Sequence, residues 1–224
     1  MHWRRPGRRP VAGTSMIGAR PATAAGPQPR WHGQPDGDVG THELLYHTAL
    51  RLFAEHGFES VSLRQLAAAM HLQPGSLYNH IESKQALLFE LIETHESDLL
   101  ALLQTKVARH AEGRLQLQRF VRVHLQFNSL HDQRHTLTRM EFRSLSLEQR
   151  ERVEQLRDTR TRDLENILSR CGLPAGQRAP MALGMQALLD GVVAGYPQDA
   201  RPPLESLTSL FTSMVLTGLS RPLA

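Results

Sequence analysis

The run Pro74-Gly75-Ser76-Leu77-Tyr78-Asn79-His80 brings together residue types that suit work on a nucleic-acid surface. Small residues let a backbone approach a duplex closely, and Tyr78 and Asn79 offer the hydrogen-bonding groups that read base edges in a major groove. Lys84 stands one position after Ser83, a helix-capping residue type. There the free amides and the helix dipole favour an anion, so the ammonium and the helix end can share a phosphate. Lys84 is one of two lysines in a chain that otherwise uses arginine. The plain alternative is a solvated surface charge.

Two further constellations lie downstream. His124, Asn128, His131 and His135 recur at helical spacing, and imidazoles four apart can bind Zn²⁺ or Cu²⁺. The competing reading is a polar helix face or the wall of an organic-ligand pocket. A helix end near Asp132 would spoil the alignment, and no cysteine or carboxylate completes the set, so no metal is assigned. Arg139-Met140-Glu141-Phe142-Arg143-Ser144-Leu145 precedes a long helix carrying Arg157 and Arg160. Buried, these cations must pair with carboxylates or meet an anionic ligand. The candidate ligand set is therefore His124, Phe127, Asn128, Arg139, Arg143 and Arg160. Cys171 reads as a packing residue rather than a redox sensor. No nucleophile–base pair and no paired carboxylates stand out, so neither an enzyme nor a cofactor is expected.

The elements that must position these residues are helices. No period-2 alternation occurs, and apolar stripes predict helices over 41–56, 62–70, 74–80, a long one from Ser83, then 114–131, 136–144, 147–170, 178–195 and 203–219. Ser62 with Gln65, and Ser146 with Gln149, form capping boxes, while Gly57 and Gly172 stand where a left-handed cap is needed. The fold class is all-α, with about nine helices: a three-helix helix-turn-helix head over 41–85 and a larger bundle over 86–224. Leu63, Leu66 and Ala67 give the second helix a buried face, and Leu77 anchors the third. The last two helices are nearly free of charge, and Gly184, Leu188, Gly191, Leu207, Leu210 and Met214 are the candidate face for a second copy of the chain.

Charge places tight limits on how such a head could bind DNA. The net +4 of the 224 residues belongs to residues 1–40, with six arginines against two aspartates. Residues 41–90 carry three cations against five glutamates. A few placed cations and neutral donors must therefore do the binding. The 1–40 segment, rich in Gly, Pro, Ala and Arg, reads as disordered. It is alternatively a basic arm for a minor groove, or sequence upstream of a true start at Met16 or Val39. It lacks the apolar core of a targeting peptide. No run of 18 apolar residues is present, and a lone cysteine excludes an intramolecular disulfide; both fit a cytoplasmic location.

The runs Leu52-Phe53-Ala54-Glu55-His56-Gly57-Phe58, Ser62-Leu63-Arg64-Gln65-Leu66-Ala67 and Gly75-Ser76-Leu77-Tyr78-Asn79-His80-Ile81-Glu82-Ser83-Lys84-Gln85-Ala86-Leu87-Leu88 together resemble the tetracycline-repressor (TetR) family of regulators. The resemblance implies an all-helical homodimer with a DNA-reading head and a C-terminal ligand-binding bundle. By position it implies that Pro74, Gly75, Ser76, Tyr78 and Asn79 face bases or sugars, and that Ser62, Arg64, Tyr78, His80 and Lys84 hold phosphates. His71 stands where the family's turn has glycine, and Ile81 replaces an aromatic residue. The 139–145 run and the helix after it resemble, more weakly, members that sense acyl-coenzyme A thioesters. Salt bridges within or between chains are the competing use of those arginines.

The expectation is a repressor of a palindromic double-stranded operator, released by a small acyl-CoA-like or hydrophobic effector. Two other functions compete. A helical enzyme lacks a catalytic constellation, and a sequence-blind DNA binder would work through the basic tail.

Overall fold

A computed structural model describes residues 39–107, 112–196 and 199–219, and the 1–40 tail lies almost wholly outside them. The described residues fall in one unit, Gly33–Ala224, and contain nine α-helices, one 3₁₀ turn and no strand. No helix among them is long and apolar enough to cross a membrane.

The head begins with α1 (Val39–His56), whose Leu45, Ala49 and Phe53 are buried. Gly57 then turns the chain at φ 79°. Helix α2 (Leu63–Ala69) opens on the expected capping box: the Gln65 amide donates to Ser62 Oγ, and the Ser62 amide donates to Gln65 Oε1 at 2.7 Å. It ends in a Schellman motif, with the Leu72 amide donating to the Ala67 carbonyl and the His71 amide to that of Ala68. The residue following the cap is His71, and it alone of the described non-glycine residues has positive φ, at 57°. The turn thus keeps the geometry glycine would give it, with an imidazole in its place. Helix α3 (Pro74–Leu77) is shorter than the 74–80 expected, and Tyr78, Asn79 and His80 continue as turns.

Helix α4 (Lys84–Val107) starts from Ser83, whose hydroxyl accepts the Ala86 amide at 2.9 Å. It runs from the head into a bundle of α5 (Gly113–Leu130), α7 (Leu147–Arg170), α8 (Ala175–Gly195) and α9 (Leu204–Leu219). Their shared core includes Leu99, Leu103, Phe120, Leu164, Leu189 and Phe211. The expected break between α5 and α6 falls at His131, after which α6 (Asp132–Met140) follows at once and a 3₁₀ turn spans Phe142–Ser144. The second capping box, Ser146 with Gln149, opens α7, and Gly172 follows α7 at φ 90°.

Holding an L-residue in the left-handed region costs roughly 1 kcal/mol or more. We expect His71→Gly to match or exceed the parent in stability and His71→Val, which is β-branched, to lose roughly 1–2 kcal/mol. Urea midpoints of the three proteins check this.

Candidate nucleic-acid interface and bundle cavities

In the short third helix the apolar and polar residues separate by face. Leu77 is wholly buried, fixing α3 against the head core, while Pro74, Gly75 and Asn79 are exposed and the Tyr78 ring is 62% exposed. Ser76 and His80 are half-buried and Arg64 is exposed on α2. These residues form a surface able to enter a groove, held by the core behind it.

Two expected phosphate ligands have work elsewhere. Ser62 Oγ donates to Gln65 Oε1 at 2.7 Å and accepts the Gln65 amide, so its hydroxyl closes the α2 cap. The Lys84 ammonium does not project outward from its helix end. It donates to the carbonyls of Phe58 at 2.9 Å and Val61 at 3.0 Å, and lies 4.1 Å from the centre of the Phe58 ring. Lys84 thereby fastens the α1–α2 loop to the start of α4. The Phe58 amide donates in turn to Glu141 Oε1 at 3.0 Å, and Glu141 Oε2 accepts from Ser144 Oγ. Glu141 follows α6, so one head residue is bound to both α4 and the α6 segment. The sequence places Glu141 in the 139–145 run but does not give its role, which depends on a contact 83 residues away.

Inside the bundle, buried charge is arranged in two groups. Glu96 Oε1 accepts Arg157 Nε at 2.7 Å and Glu96 Oε2 accepts Arg160 Nη1 at 2.6 Å, while Arg160 Nε donates to Gln186 Oε1. Burial alone would raise the Glu96 carboxyl, but the two guanidiniums outweigh it and hold the pKa at about 2. The Arg157 guanidinium also stacks on Phe142, 4.5 Å from the ring centre. In the second group, His124 Nε2 lies 2.8 Å from Asp190 Oδ1, and His135 Nε2 lies 3.3 Å from the Asp190 carbonyl. Burial opposes ionisation of Asp190, yet its contact with His124 holds the carboxyl below the usual range.

The helix break at His131 decides the fate of the histidine row. His131 turns onto the Phe127 ring, while His124, Asn128 and His135 converge on Asp190. Among the described residues no three or more His, Cys, Asp or Glu gather as a metal site. Burial lowers the pKa of His95 and of His135 and raises that of Cys171, so none of the three is poised as a charged or thiolate group.

Two cavities adjoin these groups. The larger, about 300 Å³, is lined by Asn128, Arg139, Arg143 and Arg160 from the expected ligand set, and by His95, Glu96, Thr138, Arg157 and Asp190. The smaller, about 210 Å³, is lined by Leu100, Leu103, Val107, Phe120 and Ile167 together with Gln104, Gln116, Asp163, Asn166, Arg170 and the shared Arg160. His124 and Phe127 are buried and line neither cavity. Glu96 and Asp190 escaped the sequence reading. Glu96 falls on the apolar stripe of α4 with Ile92 and Leu99, and Asp190 is the only acid in α8, so each carried a legible anomaly.

The outer face of α8 and α9 exposes Leu183, Leu188, Leu210 and Met214 beside Gly184 and Gly191. Leu207, expected on this face, instead sits at 6% exposure in the chain's own core, in phase with Phe211 rather than with the exposed stripe.

Known proteins match this chain in two parts. The family described as "Bacterial regulatory proteins, tetR family" matches residues 45–91, and "Tetracyclin repressor-like, C-terminal domain" matches 110–219. The transcriptional repressor KstR2 of Rhodococcus jostii is 32% identical over 85 residues, which is 38% of this chain and 42% of that protein. The chain thus spans less than half the length of that relative. The TetR family regulator PfmR from Thermus thermophilus shares the fold with TM-score 0.71 and 25% identity, over 79% of this chain and 99% of that one. AibR, solved with isovaleryl coenzyme A and operator DNA, aligns at TM-score 0.68 and 19% identity, over 77% and 96%.

Removing one member of a buried ion triad strands the others. Glu96→Gln should destabilise the chain by about 3–5 kcal/mol, whereas Arg143→Ala, at an exposed position, should stay within roughly 0.5 kcal/mol. Because the Glu96 pKa is depressed on folding, its contribution is full above about pH 4.5 and lost as pH falls toward 2. Denaturation midpoints across that window should therefore fall more steeply for the parent than for Glu96→Gln.

Proposed function

Because the chain belongs to the TetR family of bacterial regulatory proteins, we propose that it is a homodimeric repressor of a palindromic DNA operator, released by a small effector held in the bundle. The observation that carries the reading is the division of α3. Leu77 locks the helix to the core, and the opposite side presents Gly75, Tyr78 and Asn79 to solvent. Such a helix can seat in a major groove with its small residues at the bases and Arg64 at the flanking phosphates.

Dimerisation is supported by the uncovered apolar face of α8 and α9. Two helices from each copy would make a four-helix interface, with Gly184 and Gly191 permitting close approach. The pair of α3 helices would then sit about one DNA turn, ~34–36 Å, apart. Release follows if the effector binds a state of different head spacing better than the operator-bound state. The route runs along α4 and through the Glu141–Phe58 contact, since both connect the cavity walls to the head.

An acyl-CoA-like or hydrophobic effector has one specific observation in its favour. The smaller cavity sets Leu100, Leu103, Val107, Phe120 and Ile167 among six polar lining residues, and Arg160 borders both cavities, so an acyl chain would find an apolar strip beside a guanidinium. AibR was solved with a thioester of this kind.

Footprinting of the full chain on operators selected from random duplexes tests the regulator reading. Tyr78→Phe should weaken specific binding several-fold, about 1 kcal/mol. Arg64→Ala should weaken all sequences alike and reduce the salt slope by about one. Unchanged affinity for both at matched salt would remove the head assignment. Deleting residues 1–38 should leave the footprint in place; its disappearance would transfer binding to the tail.

A further inference from the structure

We propose that the 300 Å³ cavity binds a small, oxygen-rich organic acid, a hydroxy- or keto-carboxylate of about a dozen non-hydrogen atoms. The inference rests on the reading above that the bundle holds a small effector, and it assigns that effector a polar chemistry in place of an acyl one.

Three polar side chains in the cavity wall lack hydrogen-bond partners while being almost fully buried. They are Thr138 at 3% exposure, Asn128 at 1% and His95 at 2%, through Oγ1, Oδ1 and Nδ1. A buried polar atom left unsatisfied costs roughly 1–3 kcal/mol. The three atoms are closed off from solvent but belong to side chains that line one cavity, so a small rotation of each would bring it to a ligand that satisfies it. Asn128 Oδ1 requires a donor, such as a ligand hydroxyl. Thr138 can donate or accept. Burial keeps His95 neutral, so its ring offers one donor and one acceptor. A hydrocarbon would leave all three unpaired.

The charge of the lining selects an anion. Four arginines, Arg139, Arg143, Arg157 and Arg160, face the cavity against two carboxylates. Both oxygens of Glu96 are occupied by Arg157 and Arg160, and the Asp190 carboxylate is held by His124. Arg139 and Arg143 make no ion pair with any described residue, and their planar forks match a carboxylate in two-point contact. Volume sets the size. A cavity of about 150 Å³ accepts benzene, so twice that volume holds about a dozen non-hydrogen atoms. The nucleotide of a coenzyme A thioester would have to remain outside.

Ligand contacts also alternate with the head contact along one short stretch. Thr138, Arg139, Phe142 and Arg143 line the cavity, and Glu141 among them accepts the Phe58 amide. A ligand that draws these side chains inward acts directly on the segment holding the head.

Calorimetry on the full chain at fixed ionic strength tests the proposal, with citrate and malate as probes and octanoate and octanoyl-CoA as apolar counterparts. At least one hydroxy acid should bind, octanoate should not, and Thr138→Val and Arg143→Gln should each weaken the acid about tenfold. Arg143→Gln lies at an exposed position, so it remains informative if Thr138→Val folds poorly. Tighter binding of octanoate or octanoyl-CoA than of either acid overturns the proposal, as does binding indifferent to Arg143→Gln, or no acid binding at all. Operator binding is measured on the same preparation. If it is intact while the acids fail, the ligand chemistry alone is wrong; if the parent chain selects no operator, the regulator reading itself fails.

Discussion

The organisation of this molecule depends on how Phe58 is held. Its amide goes to Glu141, its carbonyl to Lys84, and its ring lies beneath the Lys84 ammonium and edge-on to Phe53. One residue in a short loop thereby joins α1, the start of α4 and the end of α6. Gly57 makes the arrangement possible, because its positive φ turns the Phe58 amide toward a carboxylate that a Cβ at Gly57 would approach to 3.5 Å. A lysine in such a position is worth more as a staple than as a free phosphate ligand. It removes two loop carbonyls from solvent competition and gains a cation–π contact.

The bundle carries a different constraint. Burying Glu96 with two arginines contributes little net stability, since desolvation offsets most of the attraction. What it does provide is a fixed set of guanidinium directions, with Arg160 in the walls of both cavities. Gln186 and Phe142 complete the restraint, one by hydrogen bond and one by stacking. A polar interior kept rigid in this way suits discrimination among small ligands better than it suits stability, because a ligand lacking the matching groups leaves charges or dipoles unpaired.

Much of the architecture was legible because it is written in local chemistry. Ser62 with Gln65, Ser146 with Gln149, Gly57 and Gly172 each specify a helix end from a few neighbouring residues, and each end lies where that chemistry puts it. The third helix was overdrawn because Tyr78-Asn79-His80 can continue a helix or turn, and the tertiary context decides. The site was legible only in part for a related reason. Arg139, Arg143 and Arg160 stand out as a cluster of cations that must pair or meet an anion if buried, but Glu141, Glu96 and Asp190 acquire meaning from partners tens of residues away. Leu207 and Leu210 are three apart, and periodicity alone does not say which faces the core.

The acidity of the head bears on how it would meet DNA. With Glu59 and Glu82 exposed near the reading face and the Lys84 ammonium turned inward, general attraction to phosphate is weak. Counterion release scales with the number of phosphates neutralised, so such a head would show a shallow salt dependence and little sequence-blind affinity. Discrimination would then fall to the fit of α3 in the groove, where Gly75 would set the depth of approach and Tyr78 and Asn79 would supply directional hydrogen bonds. A second copy would then be needed on energetic grounds, because one four-residue helix would contact too few bases to select a site. The uncovered stripe of Leu183, Leu188, Leu210 and Met214 is where that second copy would be recruited, which ties specificity at one end of the molecule to apolar burial at the other.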